Sequence, residues 1–143
     1  MNRNIRIAIY AAIAVIALYG TWSQNLAYGP TLDGFLADAK ANPAARSVTI
    51  DIFMMALSAA FLMAYEARRL GIRFVWAYIF FGLTVAISVT FPLFLIAREF
   101  ALGREAPAAR GLAWYDYLGL ALVTAFVGWL YWYTLFAPAG LRV

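Results

Sequence analysis

The chain has 143 residues, of which 66% are hydrophobic and 13% charged, with a formal net charge of +4. Soluble domains carry about 25% charged residues, and a fold this small leaves much of its surface facing water. The composition therefore excludes an ordinary soluble domain, a disordered chain and a nucleic-acid binder, and it predicts an integral membrane protein.

Cysteine and histidine are both absent. Disulfides, thiolate nucleophiles, iron–sulfur clusters and zinc–thiolate sites are excluded, as are the usual haem, copper and chlorin ligand and the usual near-neutral proton shuttle. The single lysine, Lys40, lies outside the apolar segments, which argues against a Schiff base buried in the bilayer. No metal site and no fixed cofactor is predicted. The composition leaves room for a bound lipid, quinone or carotenoid-like molecule.

Long uncharged stretches mark the elements. Twenty-six residues without charge separate Arg6 from Asp33, 24 separate Arg73 from Arg98, and 25 separate Asp116 from Arg142. Each exceeds the roughly 20 residues that cross about 30 Å of hydrocarbon. Ser47 to Tyr65 is apolar except for Asp51. The expected architecture is one transmembrane domain, an all-α four-helix bundle, with spans at about 5–22, 46–67, 74–97 and 114–136. Continuous apolar runs without period-two alternation argue against a β-barrel.

Taken in chain order, the first span follows Arg3 and Arg6 as a signal peptide would. Its apolar run is too long for an h-region, however, and Tyr19 and Trp22 stand where a cleavage site needs small residues, so the span is expected to be retained. In the loop after it, Leu32, Phe35, Leu36 and Ala39 share a helical face opposite Asp33 and Lys40. A short helix is expected there, either lying at the membrane interface or packed as a lid over the bundle mouth. Asn42-Pro43 offers an N-cap and a first-turn proline for the second span. Arg68-Arg69-Leu70-Gly71 offers last-turn cations and a left-handed stop. Glu66 with Arg69 reads as an interfacial ion pair of little worth.

In the third span Pro92 lacks an N–H, which frees the Ser88 carbonyl. Thr84, Ser88 and Pro92 are spaced by four, so a kink near Ser88 is expected. The loop from Arg98 to Ala113 reads as a polar connector. The fourth span carries aromatics at both ends, as interfacial belts do. Small residues on the first span (Ala8, Ala11, Ala12) and on the fourth (Ala121/Ala125, Thr124/Gly128) suit close helix packing, within the chain or with another one.

Four crossings place both termini and the 2–3 loop on one side. Arg3, Arg6, Arg68, Arg69, Arg73 and Arg142 then face Lys40, Arg46, Arg98, Arg104 and Arg110, nearly a tie. The N-terminal arginines and the tight Arg68/Arg69/Arg73 group favour cytoplasmic termini. Abundant Ala and Arg with one Lys suggest a GC-rich bacterial genome, and so the inner membrane.

Asn42-Pro43, Asp51, the run Glu66-Ala67-Arg68-Arg69-Leu70-Gly71 with Trp76, and Ser88-Val89-Thr90-Phe91-Pro92-Leu93-Phe94-Leu95 occur in an order that resembles an uncharacterised bacterial family of small integral membrane proteins, known only as a domain of unknown function. The resemblance spans roughly residues 5–100. It implies the membrane class, and a unit typically of three spans that the fourth span here extends. It implies no activity.

An ionisable group within a span is a functional candidate because its charge is expensive there. Asp51 is the clear case, with Ser47, Met54, Met55 and Ser58 nearby on the helix. It is either a structural acid bonded to a neighbouring span or lying near the head groups, or an anchor for a ligand. In the second case Asp51, Ser58, Met54, Met55, Ser88 and Phe91 form the candidate pocket, beside the kink at Pro92. The missing ligands and nucleophiles favour a non-catalytic accessory or scaffold subunit, with membrane lipids and other membrane chains as partners. The alternative is a binder of, or enzyme acting on, an isoprenoid, quinone or lipid. A proton path is disfavoured, because no charged residue lies between Asp51 and Glu66 on that span.

Overall fold

A computed structural model describes residues 2–28, 32–103 and 111–136 of the chain. The described residues form helices and turns, with no strand among them. The helices are α1 (Arg3–Tyr28), α2 (Leu32–Asp38), α3 (Pro43–Leu70), α4 (Val75–Phe81), α5 (Ile87–Leu102) and α6 (Trp114–Phe136), and a π-helical turn (Gly82–Ala86) joins α4 to α5. Four helical segments, α1, α3, α4 through α5, and α6, are long and apolar enough to cross a membrane, and the short α2 lies between the first two. The protein is an all-α, multi-pass membrane bundle.

The ends of α3 follow from its sequence. The Asn42 side chain accepts from the Ala45 N–H at 2.9 Å, and Pro43 opens the helix. Gly71 takes the left-handed conformation (φ 67°), and the N–H groups of Gly71 and Ile72 both donate to the Ala67 carbonyl. A left-handed stop leaves Gly unstrained where other residues are disfavoured.

The third apolar segment does not run straight. Ala86 is extended (φ −174°, ψ 127°), and the chain reverses there. A Cβ built on Gly82 would stand 2.9 Å from Thr90 Oγ1, eight residues on; a straight helix would separate those levels by about 12 Å. Tyr78 and Phe94, about 24 Å apart along a straight helix, meet edge to face with ring centroids 5.7 Å apart. α4 and α5 are thus the arms of a helical hairpin that enters the bundle and returns to the same end. This corrects the expectation of one continuous crossing over 74–97. It also relocates the kink expected near Ser88: the break falls at Gly82–Ala86, one turn earlier, and α5 continues through buried Pro92. Thr84 lies before the reversal and Ser88 after it, so Thr84, Ser88 and Pro92 do not share one helical face.

The core explains why the arms close. Ala59, Ala60, Met63, Ala64 and Ala67 of α3 pack with Val75 and Ile79 of α4, Phe94 of α5 and Leu120 of α6. Alanines let helices approach closely where lipid gives little hydrophobic drive for association. Of the small residues singled out on the first and fourth spans, Ala11 is half-buried, and Ala8, Ala12, Ala121, Thr124, Ala125 and Gly128 are exposed and lie outside this core.

The fold-back also moves the termini. α1 packs on α5 with Arg6 beside Glu99, while the start of α6 lies beside the end of α3 through Arg68 and Asp116. At the far end, the Lys40 ammonium sits 3.8 Å from the centroid of the Tyr133 ring. Asn2 and Phe136 therefore lie at opposite ends of the bundle, and not on one side as four full crossings require. Lys40, which follows α2, is buried; Thr49 Oγ1 donates to the Ala39 carbonyl, and Arg46 reaches the Lys40 carbonyl. These contacts hold the turn after α2 against the bundle, while Phe35 remains exposed.

Candidate functional site

Two groups of polar residues stand out, one closed and one open. The closed group is built where the hairpin brings the end of α5 back to the end of α3. Arg98 Nε lies 2.7 Å from Glu66 Oε2, and Arg69 reaches the same carboxylate at 2.8 Å. Beside it Arg6 Nη2 lies 2.6 Å from Glu99 Oε2. On the other flank Arg68 donates twice to Asp116, at 2.6 and 2.8 Å. Trp76 Nε1 donates to Asp116 at 3.2 Å, and the Ala113 N–H at 2.8 Å. That last bond caps α6, because an acid in the first turn reaches back to a free backbone donor.

The residue exposures are 7% for Glu66, 3% for Glu99 and 0% for Asp116. Every described buried side-chain polar atom has a hydrogen-bond partner. A buried charge is tolerable when paired and bonded in this way. The group is a clamp: its carboxylates are held by arginines of other elements. Glu66 thus does more than form the interfacial pair with Arg69 expected from the sequence, since Arg98 joins it from 32 residues away. Asp116 was legible only as a boundary of the last span. The signal that could have found it is an acid at the third position of a helix that otherwise lacks a cap.

The open group is the sequence-predicted one. Asp51 is exposed on α3 and has no hydrogen bond or ion pair among the described residues. Met54, Met55 and Ser58 are exposed too, with the Ser58 hydroxyl donating to the Met54 carbonyl at 2.9 Å. Ser88 is exposed beside the hairpin tip, Phe91 is half-buried against the core, and Pro92 is buried. None of these residues lines either of the two open surface grooves. One, between α2 and α3, is lined by Phe35, Ala39, Val48 and Thr49 among others. The other runs between α3 and α6 along Phe61, Leu120, Ala121 and Thr124.

Depth separates the two groups. Twenty residues from Arg6 lead to Leu26, from Glu66 back to Arg46, and from Asp116 to Phe136, each about 30 Å at helical rise. A hydrocarbon layer of about 30 Å with one boundary at the clamp has its other boundary at these levels. The hairpin tip at Ile87, eleven residues from Arg98, lies about 16 Å inside the clamp boundary. Asp51, five residues from Arg46, lies about 8 Å inside the other boundary. Past the tip, Tyr19, Gly20, Trp22 and Leu26 of α1 are exposed, and nothing lies within 4 Å of a Cβ built on Gly20.

Against known proteins, a family model described as "Protein of unknown function DUF2834" matches residues 9–100, and the chain belongs to that family. The match runs from within α1 through most of α5 and stops before α6. No curated protein and no solved structure matches.

Proposed function

We propose that this member of the DUF2834 family is a non-catalytic subunit of a larger complex in the bacterial inner membrane. The observation that carries this reading is the backbone reversal at Gly82–Ala86, about halfway across the bilayer, with Thr84 and Ser88 exposed beside it. Hydrocarbon offers no hydrogen bonds, so irregular backbone at that depth persists where protein covers it or water reaches it. Among the described residues nothing packs on the face of α1 around Gly20, next to the tip. An element of another membrane chain supplies the cover.

The same geometry argues an orientation. Arg3, Arg6, Arg68, Arg69, Arg73 and Arg98 share the clamp end, against Lys40 and Arg46 at the other, among the described residues. The near tie of four crossings becomes a clear asymmetry. The positive-inside rule then puts the clamp end and the N-terminus in the cytoplasm and Phe136 on the far side.

The test is a photo-crosslinking side chain at Ser88 in the full chain, expressed in its native membrane. The expected product is an adduct with one other membrane protein, lost in Gly20→Trp, which fills the open side of α1. Adducts confined to a lipid, quinone or other isoprenoid would replace the subunit reading with that of a lipophilic-ligand binder around Asp51 and Ser88.

A further inference from the structure

The outward face of α3 carries a second regularity. Val48, Asp51, Met55, Ser58, Leu62 and Tyr65 are all exposed, and their spacing alternates three and four residues over almost five turns. That 3.5-residue period is the seam on which two helices pack at a shallow crossing angle. No described element of this chain packs along it, although Val48 at its start borders the groove between α2 and α3.

Asp51 decides what does. It lies about 8 Å inside the hydrocarbon boundary, and an aspartate side chain is too short to reach the head groups from there. A carboxylate at that depth is expensive unless it is paired. A second copy packed about a twofold axis through this part of the seam would set one Asp51 against the other, like charge against like.

We propose that α3 docks a transmembrane helix of a different protein, and that this helix presents an arginine or lysine opposite Asp51. The cation neutralises the acid, and Met55, Leu62 and Tyr65 supply the apolar contact on the clamp side. Ser58, bonded to its own backbone, adds little bulk where the helices pass. This rests on the subunit reading above and names the chemistry of the partner.

The experiment places a photo-crosslinking residue at Met55 or Leu62, and at Phe53 off the seam, in full-length chains bearing Asp51, Asp51→Asn or Asp51→Lys. Asp51 makes no bond among the described residues, so these variants should keep the thermal stability of the parent. The expected result is a protein adduct at Met55 and Leu62 but not at Phe53. Its yield falls about tenfold or more with Lys and less with Asn. The cross-linked peptide should belong to a transmembrane segment with Arg or Lys within about one turn of the level of Asp51, and changing that residue to Asp should restore the Asp51→Lys adduct.

Adducts with this chain's own peptides, lipid adducts alone, or a partner helix without a basic residue at that level would each overturn the proposal. The Ser88 cross-linker separates the two readings. If its protein adduct persists while the seam gives none, the docking inference fails and the subunit reading stands. If both positions label lipid alone, both fail.

Discussion

Gly82 packs so closely on Thr90 that a Cβ there would stand 2.9 Å from the threonine hydroxyl and 3.0 Å from Ile87 Cδ1. Glycine is needed at this position for close approach, since the backbone makes no left-handed turn there. Gly82→Val forces the arms of the hairpin apart at their tightest point. The expected cost is about 1–3 kcal/mol, the range for overpacking a tight contact. Thermal unfolding of the purified protein checks it, and Gly82→Val combined with Thr90→Ala should recover part of the loss.

The hairpin makes a prediction that a continuous crossing reverses. The natural chain has no cysteine, so single cysteines report sidedness without background. Cysteines at Asn2, Arg73 and Gly103 should react with an impermeant thiol reagent from one side of the membrane. Cysteines at Ala41 and Phe136 should react from the other. Arg73 and Gly103 labelling from opposite sides would rule out the fold-back.

Asp116 is fully buried and holds Arg68, Trp76 and the first free N–H of α6. Asp116→Ala strands the Arg68 charge and should destabilise the bundle by about 3–5 kcal/mol. Asp116→Asn keeps part of the bonding and should lose less. In Arg68→Ala/Asp116→Ala the losses should sum to less than the two singles, because the residues share one interaction. Unfolding of the four chains in one detergent measures this cycle.

Gly119 has the Trp76 ring lying directly against its Cα, with no space for a side chain. Gly119→Ala must displace the indole and pull its N–H away from Asp116. A loss of about 1–3 kcal/mol is expected. Replacing Trp76 by Leu in that background should relieve the clash while leaving the lost hydrogen bond unrepaired.

Much of this was legible along the chain. Asn42-Pro43 and Gly71 bound α3 where their side-chain chemistry and backbone freedom put them, and the apolar stretches marked four membrane helices. Helix length and hydropathy, however, cannot tell a rod from a hairpin of the same length. The 24 uncharged residues between Arg73 and Arg98 suffice for either. What separates them is long-range pairing: Glu66 with Arg98, Arg6 with Glu99, and Tyr78 with Phe94. Pro92 is the helix breaker in the sequence, yet the chain turns at Gly82–Ala86, because backbone approach to Thr90 decides where the arms can meet. Asp51 is legible as the exceptional acid in the second span, and its lack of a partner among the described residues is visible only in the assembled bundle.

The fold-back bears on how the protein is made. A continuous third helix would require the translocon to thread Arg98 and Glu99 through to the far compartment, against the bias that keeps arginines flanking a span on the cytoplasmic side. A segment that dips and returns keeps both on the side where they are synthesised. There Glu66 and Arg6, already emerged from the ribosome, can engage them before α6 is complete.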